Sequence, residues 1–204
     1  MLVGLDIDGV IRNFVKAVRT KYKEVYPDHD VPVVTEWNIS KIYPIGEEIY
    51  DFCFKKHTKE IFYDAEPYEG SKRFVNELSA KHEVVIITSQ TTPDCKVFTM
   101  RWLADHGFLD MIKHVAMCGN GGGVFRKHMV KVDVLIDDRV KNLHLSEENG
   151  IHGIGPRRTW NDGRWDRLYD SYDEILYEVD RIASVLEKVK NRKTYKQPPV
   201  FKLC

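Results

Sequence analysis

The sequence predicts an α/β protein: a doubly wound, mostly parallel sheet with a small helical cap inserted after the first strand. Three short apolar runs carry this reading. Leu2–Leu5, Val84–Ile87 and Val134–Ile136 each stop at a polar residue, Asp6, Thr88 and Asp137 respectively. Runs of that length and texture suit strands buried on both faces. Helix-like stretches alternate with them, which implies crossover connections and a parallel sheet. The alternation fails only between Phe14 and Pro67.

In chain order, Leu2–Leu5 leads into Asp6-Ile7-Asp8-Gly9-Val10. Phe14, Val18 and Tyr22 then follow at helical spacing, and a Pro-rich aromatic stretch runs through Trp37 and Tyr43. A second helical pattern carries Ile49, Phe52 and Cys53. Residues 14–67 are too many for a crossover and too apolar for a bare loop. They read as a cap over a crevice, with residues 1–13 and 68–186 as the core. Pro93–His106 is a helix that starts after Thr92 with proline in its first turn and ends at Gly107. Weaker strand patterns lie at Val115–Met117 and Ile151–Ile154, and a helix over Arg139–Asn149 is closed by Gly150. Ser171 and Glu174 form a capping box ahead of Ile175, Leu176, Val179, Ile182, Ala183 and Leu186 at helical spacing. From residue 187 to 204 the chain is a basic tail, read as solvated and partly disordered.

Composition excludes several classes. Lys plus Arg number 31 and Asp plus Glu 31, so the net charge is 0 and no global basic footprint for nucleic acid exists. No apolar run approaches the ~18 residues of a membrane span. Asp6 and Asp8 interrupt any signal-peptide reading of the N-terminus. The four cysteines show no paired spacing and read as reduced thiols, which leads to a cytoplasmic expectation.

In a parallel sheet, ligand chemistry gathers at the carboxyl ends of the strands. Asp6, Thr88 and Asp137 can therefore share one crevice. Two carboxylates at i and i+2, Asp6 and Asp8, end the first strand, and Asp137-Asp138 ends another. Four carboxylates at one sheet edge repel unless a cation neutralises them. An all-oxygen set selects a hard divalent ion, Mg²⁺ before Zn²⁺. Lys127, ten residues before Asp137, offers a fixed positive charge. Thr88 and Ser89 offer hydroxyl and backbone N–H donors to a phosphate oxygen. Together these groups describe phosphoryl transfer, with Asp6 suited to attack phosphorus and Asp8 to proton transfer.

Asp6-Ile7-Asp8-Gly9-Val10, Thr88-Ser89, Lys127 and Asp137-Asp138 resemble, in order, the four motifs of the haloacid dehalogenase superfamily of phosphatases, whose core is Rossmann-like. Phe14, the segment Ile61–Pro67 with Gly70, the Lys127–Asp137 interval and Asp137-Asp138-Arg139 resemble the 5′(3′)-deoxyribonucleotidase family more closely. The resemblance implies Asp6 as nucleophile, Asp8 as general acid/base with its carbonyl on the metal, Thr88 and Ser89 on phosphate, and Lys127 neutralising the intermediate. It implies Mg²⁺ held by Asp6, Asp8 and one of Asp137 and Asp138, with Asp138 preferred. It also implies cap aromatics on a nucleobase, with Phe14 and Trp37 in comparable stretches. Two positions depart from the family: Phe125 where it has arginine and Gln90 where it has proline.

The expected substrate is a small phosphomonoester, a nucleoside monophosphate first. Another phosphorylated metabolite or a nucleic-acid 3′-phosphate end is the alternative, and a non-catalytic binding module using the basic tail is a reading of another class. A homodimer through surface patches is compatible with the sequence. Lys131 and Arg126 compete with Lys127 for the cationic role. The glycines at 119 and 121–123 lack the residues that complete a phosphate loop and read as a flexible connection. Phe14, Trp37, Tyr43, Phe52 and Phe62 read individually as cap core ahead of base-stacking platforms, though a nucleotide site needs one or two of them, and Phe98 and Trp102 read as core. Trp160, Asn161 and Trp165 read as surface packing in a polar loop, ahead of a role at the rim of the site.

Overall fold

The computed structural model describes residues 1–31, 33–119 and 126–194. Six strands form one sheet: β1 (Leu2–Leu5), β2 (Glu83–Ser89), β3 (His114–Cys118), β4 (Val134–Ile136), β5 (His152–Pro156) and β6 (Leu168–Tyr169). Their order is β3-β2-β1-β4-β5-β6, with every pairing parallel. The chain winds outward from β1 through β2 to β3 and then returns to the far side of β1 at β4. This reversal opens a crevice between the carboxyl ends of β1 and β4, and it brings Asp6 beside Asp137.

Alternate strand residues feed opposite faces. Val84, Ile86, Val134 and Ile136 join a cluster with Phe74, Val75 and Leu78 of α4 (Ser71–Lys81), Trp102 and Leu103 of α5 (Pro93–Asp105) and Ile175, Val179 and Ile182 of α7 (Tyr172–Thr194). Val85, Ile87 and Leu135 form the opposite cluster with Cys118, Val132 and Ile151. α6 (Val140–Glu148) comes close to β5, where Gly153 leaves no room for a Cβ against the Leu143 backbone.

The helix termini follow local chemistry. Thr92 accepts from the Cys95 N–H and Pro93 opens α5, while Gly107 follows the helix at φ 71°. Ser171 Oγ accepts from Glu174 N at 3.2 Å, and Glu174 Oε2 accepts from Ser171 N at 3.0 Å. α7 does not stop at Leu186 but runs on to Thr194, so the first part of the basic tail is helical. Its helical hydrogen bonds outlast its apolar stripe. β6 was not evident from the sequence, because two residues are too few to show a period.

Residues between β1 and α4 form a helical segment: α1 (Phe14–Val25), a 3₁₀ turn (Ile39–Lys41), α2 (Glu48–Asp51), a π-helical stretch (Phe52–Lys56) and α3 (Thr58–Phe62). It has its own core, which includes Val18, Tyr22, Tyr43, Ile49, Phe52, Cys53, Ile61 and Phe62. Its two ends lie side by side: Asn13 N donates to Glu66 O and Tyr68 N to Ile11 O, both at 2.9 Å. Trp102, fully buried, donates from its indole to Ala65 O at 2.6 Å and fixes this neck to α5.

β5 must pass very close to the end of β4. A Cβ on Gly155 would lie 2.0 Å from Asp137 O. Gly155→Ala is therefore expected to push the Asp137 backbone away, costing about 1–3 kcal/mol as overpacking. Urea unfolding checks this, and an unchanged midpoint would contradict it.

Candidate active site

Asp6 follows β1 and Asp137 follows β4; their N–H groups still bond to the adjacent strands, Asp6 N to Ile136 O at 2.9 Å and Asp137 N to Ile154 O at 3.0 Å, and their side chains are covered. Asp6, Asp137 and Asp138 are all buried. Among the described residues they are a group whose carboxylate oxygens lie within 4.8 Å of one another, the arrangement a metal ion requires. Lys127, at the start of a 3₁₀ turn (Lys127–Met129), reaches into the cluster. Its Nζ lies 2.6 Å from Asp6 Oδ2 and 2.8 Å from Asp137 Oδ2. Lys131 and Arg126, the competing cations, are exposed.

Asp137 is the most heavily held of the three. Oδ1 accepts from Arg139 N at 2.8 Å, and Oδ2 accepts from Asn142 Nδ2 at 3.0 Å as well as from Lys127. Asp6 Oδ1 accepts from the Ile7 N–H at 2.8 Å. Asp138 Oδ2 accepts from the Trp160 indole at 2.9 Å, and its backbone oxygen from Asn161 Nδ2 at 2.8 Å. Gly9, at φ 75°, lies against the Asp138 carboxylate so closely that a Cβ there would sit 2.0 Å from Oδ2. Glycine is required at this position on both counts, conformational and steric.

Asp8 differs from the expectation. Its carboxylate stands outside the three-carboxylate cluster, in a bidentate pair with Arg12: Nε to Oδ1 at 2.8 Å and a terminal nitrogen to Oδ2 at 3.0 Å. Arg12 is fully buried and also donates to Phe62 O and Thr99 Oγ1. Three carboxylates rather than four therefore converge, because a guanidinium four residues along the chain neutralises the other. Gln90 Nε2 lies 3.3 Å from both Asp8 Oδ2 and Thr88 Oγ1, so this departure from the family pattern sits at the site. Phe125 lies outside the described residues, as do the glycines at 121–123.

The charges explain the titration of the cluster. Burial pushes Asp6 up, Lys127 opposes it, and Asp137 and Asp8 add to the rise, giving about 7. Burial, with Asp137 and Asp6, also raises Asp138 well above the usual carboxylate range against Lys127 and the Trp160 indole. Burial works against the Lys127 charge, but the two carboxylates outweigh it and raise its pKa. Three buried carboxylates thus meet one ammonium. The donor set is all oxygen and short of positive charge, which fits a hard divalent cation.

The cluster floors a cavity of about 400 Å³, lined by Asp6, Asp8, Thr88, Ser89, Lys127 and Asp138 on one side. Phe14, Trp37, Ile39, Tyr50, Phe54 and Phe62 of the helical segment supply apolar wall. Thr88 is buried and Trp37 is 44% exposed, its ring 3.5 Å from the Arg139 guanidinium carbon. Both expected aromatics, Phe14 and Trp37, therefore border the same space as the carboxylates. Tyr43 and Phe52 are buried in the segment's core, while Phe62 both packs there and faces the cavity.

Sequence reasoning underrated Trp160 and Asn161, which are buried against Asp138 and not packed on the surface. It missed Arg12 and Asn142. Arg12 stands one helical turn after Asp8, a charge-pair spacing that offered a usable signal. Trp160 offered none, since its contact spans a sequence separation of 22 residues.

The parallel doubly wound sheet with carboxylates at its switch point has the fold of haloacid dehalogenase-like proteins of known structure. A haloacid dehalogenase-like hydrolase from Streptococcus pneumoniae has the same fold at TM-score 0.57 and 15% identity, over 87% of this chain and 97% of that one. One from Bacillus subtilis, solved bound to magnesium, matches at TM-score 0.56 and 14% identity, over 87% and 97%. The family model for 5′ nucleotidase, deoxy (pyrimidine), cytosolic type C protein matches residues 1–161, and the chain belongs to that family. A 5′(3′)-deoxyribonucleotidase from Bacillus subtilis is 27% identical over 181 residues, 85% of this chain and 95% of the relative. The protein is accordingly a phosphoric monoester hydrolase. The family assignment removes the non-catalytic binding-module reading. No helix among the described residues is long and apolar enough to cross a membrane.

Proposed function

We propose that the protein hydrolyses nucleoside monophosphates with Mg²⁺ through an aspartyl-phosphate on Asp6. The observation that carries this reading is the buried Asp6–Asp137–Asp138–Lys127 cluster opening into an aromatic-walled cavity. A volume of about 400 Å³ lies within the range of small-ligand pockets. Its polar floor suits the phosphate, and its apolar wall suits a base and sugar, with Phe14 and Trp37 as stacking surfaces.

Asp6 and Asp138 would hold the metal with the Asp8 carbonyl, while Asp137 anchors Lys127. When bound, Mg²⁺ would supply positive charge that polarises the phosphoryl oxygens and offsets theirs. An Asp6 carboxylate oxygen attacks phosphorus, and the bond from phosphorus to the ester oxygen breaks. Asp8 enters the cycle protonated, loosening its pair with Arg12, gives that proton to the departing alkoxide and takes one back from the water that cleaves the acyl phosphate. Phosphate and nucleoside leave, and Asp6 is regenerated. Lys127 and the hydroxyls of Thr88 and Ser89 hold the phosphoryl oxygens throughout. Residues 14–67 act as the cap that closes this space from water.

Phosphate release from 5′- and 3′-mononucleotides, sugar phosphates and 3′-phosphorylated oligonucleotides, with Mg²⁺ and with chelator, tests the reading. Mg²⁺-dependent release from mononucleotides is the expected result. Release from oligonucleotides alone would overturn it.

The metal site makes its own prediction. A carboxylic acid whose pKa is raised by folding stabilises the fold below its unfolded pKa and loses that contribution as pH rises through the folded value. Asp6 and Asp138 are both raised, so metal-free protein should melt lower at about pH 8 than at about pH 6. Asp138→Asn removes one buried charge while keeping an acceptor for Trp160. Its metal-free Tm should rise by roughly 2–4 °C per kcal/mol recovered. Its Mg²⁺-induced shift should vanish, where the parent gains about 2.7 kcal/mol at a hundredfold excess over Kd. A preserved Mg²⁺ shift would move the metal elsewhere.

A further inference from the structure

We infer that Trp160 is a positioning residue for the metal, orienting Asp138 through its indole N–H and tying that ligand to residues 14–67. The inference rests on the metal-dependent reading of the site and extends it to residues outside the four motifs. Trp160 and Asn161 are consecutive and both grip Asp138. The indole holds Oδ2 at 2.9 Å, and Asn161 Nδ2 holds the backbone oxygen at 2.8 Å and Pro156 O at 3.0 Å. Asn161 is itself fixed, since its Oδ1 accepts from Arg158 N at 2.7 Å. With Oδ2 engaged and pressed against Gly9, Asp138 can rotate little, and its other oxygen remains to coordinate an ion. An aspartate so held retains its orientation without the ion, which lowers the ordering cost of binding.

The indole ring has a second set of neighbours. Trp160 belongs to the core cluster of the helical segment, with Val34, Tyr43 and Phe52 among its members. The preceding residue, Thr159, donates from Oγ1 to Val34 O at 2.5 Å. The following stretch of that segment carries Trp37, whose ring stacks on Arg139, the residue after Asp138. One tryptophan therefore packs into the wall of the cavity with its ring and holds a ligand of the metal with its N–H. Of the other buried or half-buried tryptophans, Trp102 and Trp165 donate to backbone carbonyls and not to a carboxylate.

Trp160→Phe keeps the apolar ring and removes the donor, so it separates packing from orientation. Mg²⁺ binding is measured by calorimetry without substrate, on parent and variant, with circular dichroism to establish folding. Second-sphere partners of this type are worth about 10–100-fold in metal affinity, and a loss of tenfold or more is expected. Equal affinity in a folded variant would reduce Trp160 to cap packing and overturn the inference. If the parent itself binds no Mg²⁺, the reading of the site fails instead, and the two failures are thus distinct. Should the variant not fold, ¹⁵N-indole spectra of Trp37→Phe protein decide. A slowly exchanging indole N–H signal should shift as Mg²⁺ is added, and no indole shift at saturation would overturn the inference.

Discussion

Asp6→Asn is expected to abolish phosphate release while leaving the protein folded. Asparagine keeps the side-chain shape, but its single oxygen can serve either the Ile7 N–H or Lys127 Nζ and not both, so one of the two contacts is lost. It cannot form the acyl phosphate, so every turnover that passes through Asp6 stops. Loss of a nucleophile that acts as one unit with its neighbours lowers kcat by a factor on the order of 10⁴ or more. The fold should tolerate the change, because Asp6 is a buried carboxylate already pushed up to about 7. Removing that charge relieves Asp137 and Asp138, while Lys127 keeps Asp137 as its partner. The lost contact offsets the relieved repulsion, so metal-free Tm should change little even as activity disappears. Steady-state assay and thermal unfolding on one preparation check both halves. A variant retaining more than a few per cent of parental kcat would move the nucleophile away from Asp6.

Lys127→Ala should damage both stability and turnover. The lysine is 6% exposed and bridges two carboxylates, so its removal leaves Asp6 and Asp137 buried without their shared cation. Breaking a buried ion pair from one side costs about 3–5 kcal/mol. The sign with pH follows from linkage. Without Lys127, which holds both down, Asp6 and Asp138 rise further, so the variant should recover stability as pH falls from about 8 towards 5, when they protonate. Added Mg²⁺ should restore part of the loss at neutral pH by supplying the missing charge. Turnover should fall by roughly 10²–10³, the usual effect of removing one preorganised electrostatic contact to the transition state. Urea unfolding at two pH values, with and without Mg²⁺, is the measurement. A stability loss that does not depend on pH would show that Lys127 acts by packing and not by charge.

Much of this site was legible in the chain. Asp6, Thr88 and Asp137 terminate apolar runs, and a strand buried on both faces can end on a polar residue only where it leaves the core. That rule alone gathers them at one sheet edge, and the sheet order does bring Asp6 and Asp137 together across adjacent strands. Lys127 required more. Its spacing from Asp137 suggested a role, but only the fold distinguishes a buried ammonium at 2.6 Å from Asp6 from the exposed Lys131.

The illegible part was of another kind. Strand and turn geometry, which govern neighbours in sequence, predict the Asp8 carboxylate beside the other three, and the family resemblance puts its carbonyl on the metal. Its partner is chosen by burial: Arg12 is fully enclosed, and a buried guanidinium must find a carboxylate. Trp160 was read as surface packing because tryptophan in a polar loop has no period to betray its neighbours. Its hydrogen bond to Asp138 exists because the loop after β5 folds back over the end of β4.

The sequence alone determined the layered α/β architecture, the edge on which the chemistry lies and the residue types that carry it. Those features follow from local patterns, where burial period and strand termination are written within a few residues of each other. The tertiary structure decided which carboxylates share a cation, which cation each one receives and which aromatic ring holds a ligand in place. Such pairings depend on how buried charges and donors are satisfied once distant segments meet, and chain spacing does not encode that competition.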